Sequence, residues 1–239
     1  MTPPTIVFGD IHGLTTWKQV VAKNPNCRYV FLGDYLDPFE SIEPAALLQN
    51  LQEIIELKKS QPENVILLLG NHDMHYITLD MDPSLRFDLE IYEAALILFT
   101  ENFDLFQYAF QDGKYIFTHA GISQAWFVND FQGDTNKNIA EQLNNPTNEQ
   151  VSALCRVSEL FGGRRGALGG IFFAHWQELY DPLQGYIQVV GHHGMIDSVA
   201  TDEISEYKTD NATVIFCDAF WNNQYLRIDD TPQQNSLYV

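Results

Sequence analysis

Residues 5–13 read Thr5-Ile6-Val7-Phe8-Gly9-Asp10-Ile11-His12-Gly13. Four β-branched or aromatic residues in a row have the composition of a buried strand. The glycine that follows ends it, and an aspartate and a histidine stand where the chain turns. The same grammar recurs along the chain. Tyr29–Leu32 gives way to Gly33-Asp34-Tyr35-Leu36-Asp37, and Val65–Leu69 to Gly70-Asn71-His72-Asp73. Tyr115–Thr118 runs into His119-Ala120-Gly121, and Ile187–Val190 into Gly191-His192-His193-Gly194. Five strands therefore end in residues able to bind a metal, at the carboxyl ends where α/β sheets take their ligands.

Between these strands lie helical patterns. Glu43 to Ser60 predicts a helix, with Pro44 in its first turn, Leu47, Leu51, Ile54, Ile55 and Lys58 at helical spacing, and Lys58 and Lys59 at its end. Further helices are expected over Leu89–Glu101 and Glu149–Phe161, the latter entered by the capping-box pattern Thr147-Asn148-Glu149-Gln150. Gln132–Asn148 reads as a polar loop. Thr213–Cys217 is a sixth strand, and Ala212–Ile228 reads as two strands around Asn222-Asn223, a hairpin signal. Alternating strands and helices predict the α/β class, and the terminal hairpin predicts mixed sheets in place of one parallel sheet. With 45% apolar residues and no repeat, low-complexity tract or linker, a single domain over residues 1–239 is expected.

The formal charge is −19, which repels nucleic-acid phosphates and anionic lipid, so neither is expected as a partner. An anionic substrate then needs a local positive site, which two divalent ions would supply. No apolar run approaches the roughly 20 residues of a membrane helix. The opening Met1-Thr2-Pro3-Pro4-Thr5 lacks the basic and apolar regions of a signal peptide. Cys27, Cys155 and Cys217 are odd in number and scattered, which fits a reducing cytoplasm better than a disulfide framework or a zinc knuckle.

Hard carboxylate and amide oxygens mixed with imidazole nitrogens suit manganese, iron or zinc. Each block alone has a plainer reading, because Asp or Asn after a strand is often a turn former or helix cap and a lone histidine is often structural. Taken together, five strand ends with one chemistry point to a metal site.

The five blocks resemble the calcineurin-like metallophosphoesterase superfamily, whose pattern runs GDxHG, GDxxD, GNH[DE], H and GH, and the resemblance spans Gly9 to His192. It implies a two-sheet sandwich flanked by helices and two divalent ions. Asp10 and His12 would bind the first ion and Asp34 would bridge both, with Asn71, His119 and His192 completing the second. Such a pair clamps phosphoryl oxygens, lowers the pKa of a water between the ions and steadies charge in an in-line displacement. His72 matches the superfamily histidine that resembles a general acid, and Asp37 the carboxylate that orients it. For Asp37 a helix cap before Pro38 is the structural alternative.

Two departures matter. The phosphoprotein phosphatase branch usually continues GDxxDRG, its arginine gripping the phosphate, whereas Asp37 is followed by Pro38-Phe39-Glu40. Of six arginines, Arg164 and Arg165 lie in the glycine-framed stretch Gly162-Gly163-Arg164-Arg165-Gly166, and a guanidinium fork there could replace the missing grip or could be a solvated basic turn. The GHxH spacing of the phosphodiesterase branch is also altered, because His193 is adjacent to His192 and faces the other way if the segment is extended. His193 is therefore read as structural or as standing behind the ligands, His175 as packing, and His75 is left unassigned. Gly162–Leu179, with its Trp176-Gln177-Glu178, is similar to the loop before the last ligand in small bacterial and phage phosphatases of the superfamily. The leading expectation is a phosphatase acting on phosphorylated protein or small-molecule phosphomonoesters. A symmetrical dinucleoside tetraphosphate hydrolase and a catalytically silent scaffold are the alternatives. The first would want more cations than six arginines and seven lysines provide, and the second has no need of six ligands.

Overall fold

The structure, a computed structural model, describes residues 3–78, 86–196, 199–200, 203–229 and 236–238. In chain order the strands are β1 (Thr5–Phe8), β2 (Arg28–Phe31), β3 (Val65–Leu68), β4 (Phe106–Gln107), β5 (Ala109–Asp112), β6 (Tyr115–Thr118), β7 (Ile187–Val190), β8 (Met195–Ile196), β9 (Val199–Ala200), β10 (Ser205–Lys208), β11 (Thr213–Phe216), β12 (Tyr225–Ile228) and β13 (Ser236–Tyr238). The α-helices are α1 (Trp17–Lys23), α2 (Pro44–Ser60), α3 (Asn71–Thr78), α4 (Tyr92–Glu101), α5 (Ile139–Asn144) and α6 (Asn148–Leu154). They fall into two compact units, Met1–Gln107 with Phe220–Val239, and Tyr108–Ala219.

The first unit is built on a sheet of order β13-β12-β1-β2-β3-β4. The strands from β1 to β4 run parallel, while β12 lies antiparallel to β1. Strands β1 and β3 are buried along their whole length, as the unbroken apolar runs of parallel strands require. Helix α2 lies against β3 and buries Leu47, Leu51, Ile54 and Ile55, each worth about 1.5–3 kcal/mol. Lys58 belongs to the same stripe because its stem is buried while its Nζ donates to the carbonyls of Pro62 (2.7 Å) and Val65 (2.8 Å), clipping the helix end to β3.

The second unit carries a sheet of order β10-β11-β7-β6-β5, with β11, β7 and β6 parallel and the outer strands antiparallel. Strands β8 and β9 pair as a separate ribbon. The α/β class with two mixed sheets is thus as expected, and among the described residues no helix is long and apolar enough to cross a membrane.

Three local expectations are corrected. The polar stretch 132–148 contains α5, whose Ile139, Ala140 and Leu143 are buried. Its polar residues serve backbone: Asn138 caps Glu141 N, and the Asn144 side chain bonds both Tyr108 N (2.8 Å) and Ala109 O (2.8 Å) beside β5. The helix expected over Glu149–Phe161 has its capping box but stops at Leu154, and a separate 3-10 turn at Glu159–Phe161 starts where Ser158 Oγ accepts Leu160 N. The Asn222-Asn223 turn exists, with Asn223 at φ 61°, yet β11 and β12 do not form a hairpin. Strand β11 pairs with β7 and β10 in one sheet, and β12 pairs with β1 in the other.

Candidate functional site

In the first unit, parallel register aligns Phe8 with Phe31 and Phe31 with Leu67, so the loops after β1, β2 and β3 emerge side by side. Backbone hydrogen bonds lace them together, with Ile11 N (3.1 Å) and His12 N (2.7 Å) donating to Asp34 O and Gly13 N donating to Tyr35 O (3.0 Å). The Asp73 carboxylate, on the first turn of α3, accepts from Asp34 N (2.8 Å), Tyr35 N (3.0 Å) and Gly70 N (2.8 Å). The approach is so close that a Cβ on Gly70 would stand 2.1 Å from Asp34 Oδ1 and 2.7 Å from Asp34 N.

Within this lacing Asp10, His12 and Asp34 are buried and present ligand atoms that all lie within 4.8 Å of one another. His12 Nδ1–H donates to Leu36 O (2.8 Å), which leaves Nε2 with its lone pair facing Asp10 Oδ2 and Asp34 Oδ2 at 3.9 Å each. That separation is too long for a hydrogen bond and within the span of two donors sharing an ion at about 2.1 Å from each. Burial, against the pull of Asp34, lowers the His12 pKa to about 4, so the imidazole is neutral and able to ligate at neutral pH. His12 (φ 42°), Asp34 (51°) and Asp37 (58°) all hold left-handed backbone, which side-chain-bearing residues adopt reluctantly and functional sites concentrate. The donor set and its geometry therefore fit a divalent ion.

Asn71 is buried as the first residue of α3, and the next N–H, of His72, donates to Asp34 Oδ1 (2.9 Å). The His72 ring donates from Nδ1 to Asp37 Oδ2 (2.8 Å), joining the two residues expected to act together. Burial alone would lower the His72 pKa, but Asp34 and Asp37 outweigh it and raise it. Asp37 accepts a second bond, from Tyr76 Oη to its other oxygen (2.6 Å). Sequence reading missed Tyr76 and the Asp73 clamp because both act across 38 or 39 residues. It also missed Arg86, whose guanidinium lies 3.6 Å from the exposed Phe39 ring, which in turn packs edge-on against His12 (4.9 Å).

In the second unit, β6 and β7 pair with Thr118 opposite Val190, and Gly191 N donates to His119 O (2.8 Å). This brings the His119 and His192 rings to 5.0 Å, with His192 at φ 64°. His193 is buried against Phe216 with its Nε2–H on Ala120 O (2.9 Å), and burial lowers its pKa to about 3, which is a structural role. His175 packs edge-on against Phe161 (4.8 Å) and also caps the following 3-10 turn by accepting Gln177 N, while His75 is buried in α3 of the first unit. Arg164 and Arg165 are exposed and, with Arg156, line an open depression of about 490 Å³. Their loop leaves from Phe161, which contacts His192 (5.4 Å), and is tied down by Glu178, whose carboxylate accepts Ser158 Oγ, Gly169 N and His175 N.

The sequence matches the Calcineurin-like phosphoesterase family over residues 3–220. It is 36% identical over 129 residues to the serine/threonine-protein phosphatase PP2A-like PPG1 of Candida albicans. That match spans 50% of this chain and 29% of the relative, so the chain covers under a third of that protein's length. Its fold is similar to that of a cold-active protein-tyrosine phosphatase from a psychrophilic Shewanella species, with TM-score 0.58 and 14% identity over 99% of this chain and 77% of that one. A Saccharomyces cerevisiae protein serine/threonine phosphatase with similarity to human phosphatase PP5 gives TM-score 0.54 and 17% identity over 94% and 72% of the two chains. With the fold, the ligand types and a family match across nearly its whole length in agreement, this chain belongs to the calcineurin-like phosphoesterase family.

Proposed function

We propose that this chain is a metal-dependent phosphatase that hydrolyses phosphomonoesters, on a phosphorylated protein or a small metabolite, with two divalent ions of which manganese suits the ligands best. The observation that carries it is the buried Asp10–His12–Asp34 cluster, a preformed donor set inside loops of strained backbone. In this reading Asp10 and His12 would hold one ion, Asp34 would serve both, and Asn71, His119 and His192 would be the further ligands. The three scattered cysteines support a cytoplasmic location in this reading.

Bound ions supply the charge that holds phosphoryl oxygens and the polarisation that makes water nucleophilic. The remaining task is a proton for the departing alkoxide. With Nδ1–H committed to Asp37, Nε2 is the His72 nitrogen that delivers it. A phosphate dianion also needs a cation for its remaining oxygen. Arg164 or Arg165 is one source, on a loop that leaves from the neighbour of His192. Arg86 is the other, and a specific observation favours it. It lies over the Phe39 ring, which packs edge-on against His12, and its charge acts on both His12 and His72.

The test is turnover on phosphomonoester, phosphodiester and dinucleoside polyphosphate panels, with manganese and after chelation. Monoesters should lead and chelation should abolish the activity. A preference for dinucleoside polyphosphates, or turnover that survives chelation, would overturn the reading.

A further inference from the structure

Asp37 is an unusual place to anchor a catalytic side chain. Its backbone lies at φ 58°, outside the regions that aspartate prefers, so the carboxylate depends on its surroundings to stay put. One oxygen is taken by His72 Nδ1–H at 2.8 Å. A carboxylate held by one donor can swing about its terminal torsion, which is broad and roughly two-fold. The second donor removes that freedom: Tyr76 Oη–H reaches the other oxygen at 2.6 Å, a short charge-assisted bond.

Tyr76 is itself fixed. It is fully buried on α3, its ring stacks on Phe87 at 4.8 Å, and its oxygen accepts Asp88 N–H at 3.3 Å. A hydroxyl held from both ends has a defined proton direction, and that direction is Asp37.

We propose that Tyr76 is a positioning residue for phosphoester hydrolysis, its hydroxyl locking the Asp37 carboxylate so that His72 points its proton-bearing Nε2 at the leaving oxygen. This rests on the acid role given to His72 above. Tyr76 touches neither substrate nor metal; it acts through Asp37.

The test is a double-mutant cycle between Tyr76→Phe and His72→Asn on manganese-loaded enzyme, with an alkyl and an aryl phosphomonoester. Tyr76→Phe should lower kcat on the alkyl ester on the order of 10-fold, the worth of a hydrogen bond to a charged group, with KM and metal content unchanged. The loss should shrink on the aryl ester, whose leaving group needs less help from an acid. In the His72→Asn background, itself down by roughly 10²–10⁴-fold, Tyr76→Phe should cost nothing more. An equal loss in both backgrounds, or no loss in either, overturns the proposal. If Tyr76→Phe does not fold, Tyr76→His takes its place, and any loss it causes must likewise vanish beside His72→Asn.

Should the parent show no chelation-sensitive turnover on any phosphoester, the proposed function fails and the positioning claim is read by NMR. The His72 Nδ1–H resonance of ¹⁵N-histidine-labelled protein should shift and exchange faster with water in Tyr76→Phe. An unchanged resonance would overturn the role of Tyr76.

Discussion

The loops after β1, β2 and β3 and the loop around Gly162–Gly166 both carry the chain through positive φ, but they do so with different residues. In the glycine loop the angle falls on Gly162 (87°) and Gly166 (75°), where an added Cβ would meet nothing within 4 Å. In the strand-end loops Gly13 (79°) and Gly33 (109°) share it with three side-chain-bearing residues, His12, Asp34 and Asp37, all buried. Glycine adopts such angles freely, whereas histidine and aspartate must be held there, here by the Asp73 clamp and the backbone bonds between loops. The difference teaches where the chain needs chemistry at the turn itself. In the strand-end loops the strained residues are ones that also present a carboxylate or an imidazole.

That contrast breaks most completely at Asp34. Asp34→Asn keeps the side-chain size and the loop, and removes the charge that the cluster is built around. Phosphomonoester turnover should fall to the level of chelated parent enzyme, measured as initial rates with saturating manganese. Turnover near the parental rate would show that the strained loops serve the fold alone.

Arginine substitutions ask which of the two regions grips the substrate. Arg86→Ala should cost about 1.5–3 kcal/mol in kcat/KM on a monoester and less on a diester, which has one fewer charged oxygen. Lysine at 86 should restore little, lacking the planar fork. Arg164→Ala and Arg165→Ala should each stay within about twofold of the parent, as exposed substitutions usually do. The opposite pattern would move the grip to the glycine loop.

The smallest effects come from the glycines. Gly70→Ala drives a Cβ into Asp34 and should cost about 1–3 kcal/mol of stability with loss of bound metal. Gly162→Ala has open space and only its φ to contend with, so about 1–2 kcal/mol is expected with metal content intact. Thermal unfolding and metal analysis of the two variants separate the cases, and equal metal loss in both would erase the distinction.

Much of this contrast is written locally and is legible in sequence. The runs up to Phe8, Leu32 and Leu69 hold strands, and the blocks that follow sit in the loops after β1 and β2 and at the start of α3 after β3, because apolar content and glycine act over a few residues. The Thr147–Gln150 capping box is equally local. What sequence reading misses is pairing at a distance. Asn222-Asn223 is a true turn, but a turn signal says nothing of partner choice, and β12 finds β1 more than 200 positions away. Tyr76 and Asp37 are 39 residues apart and meet because α3 starts directly after β3, beside the loop from β2. Helix α5 hides for another reason: its polar residues look like loop until Asn138 and Asn144 are seen bonding backbone.

The most direct test of the account is the number of ions the protein holds. Parent enzyme loaded with manganese and freed of excess should retain two ions per chain by elemental analysis, and Asp34→Asn should retain about one or fewer, because that carboxylate is assigned to both. A parent that holds no ion, or an Asp34→Asn variant that holds as many as the parent, would contradict it.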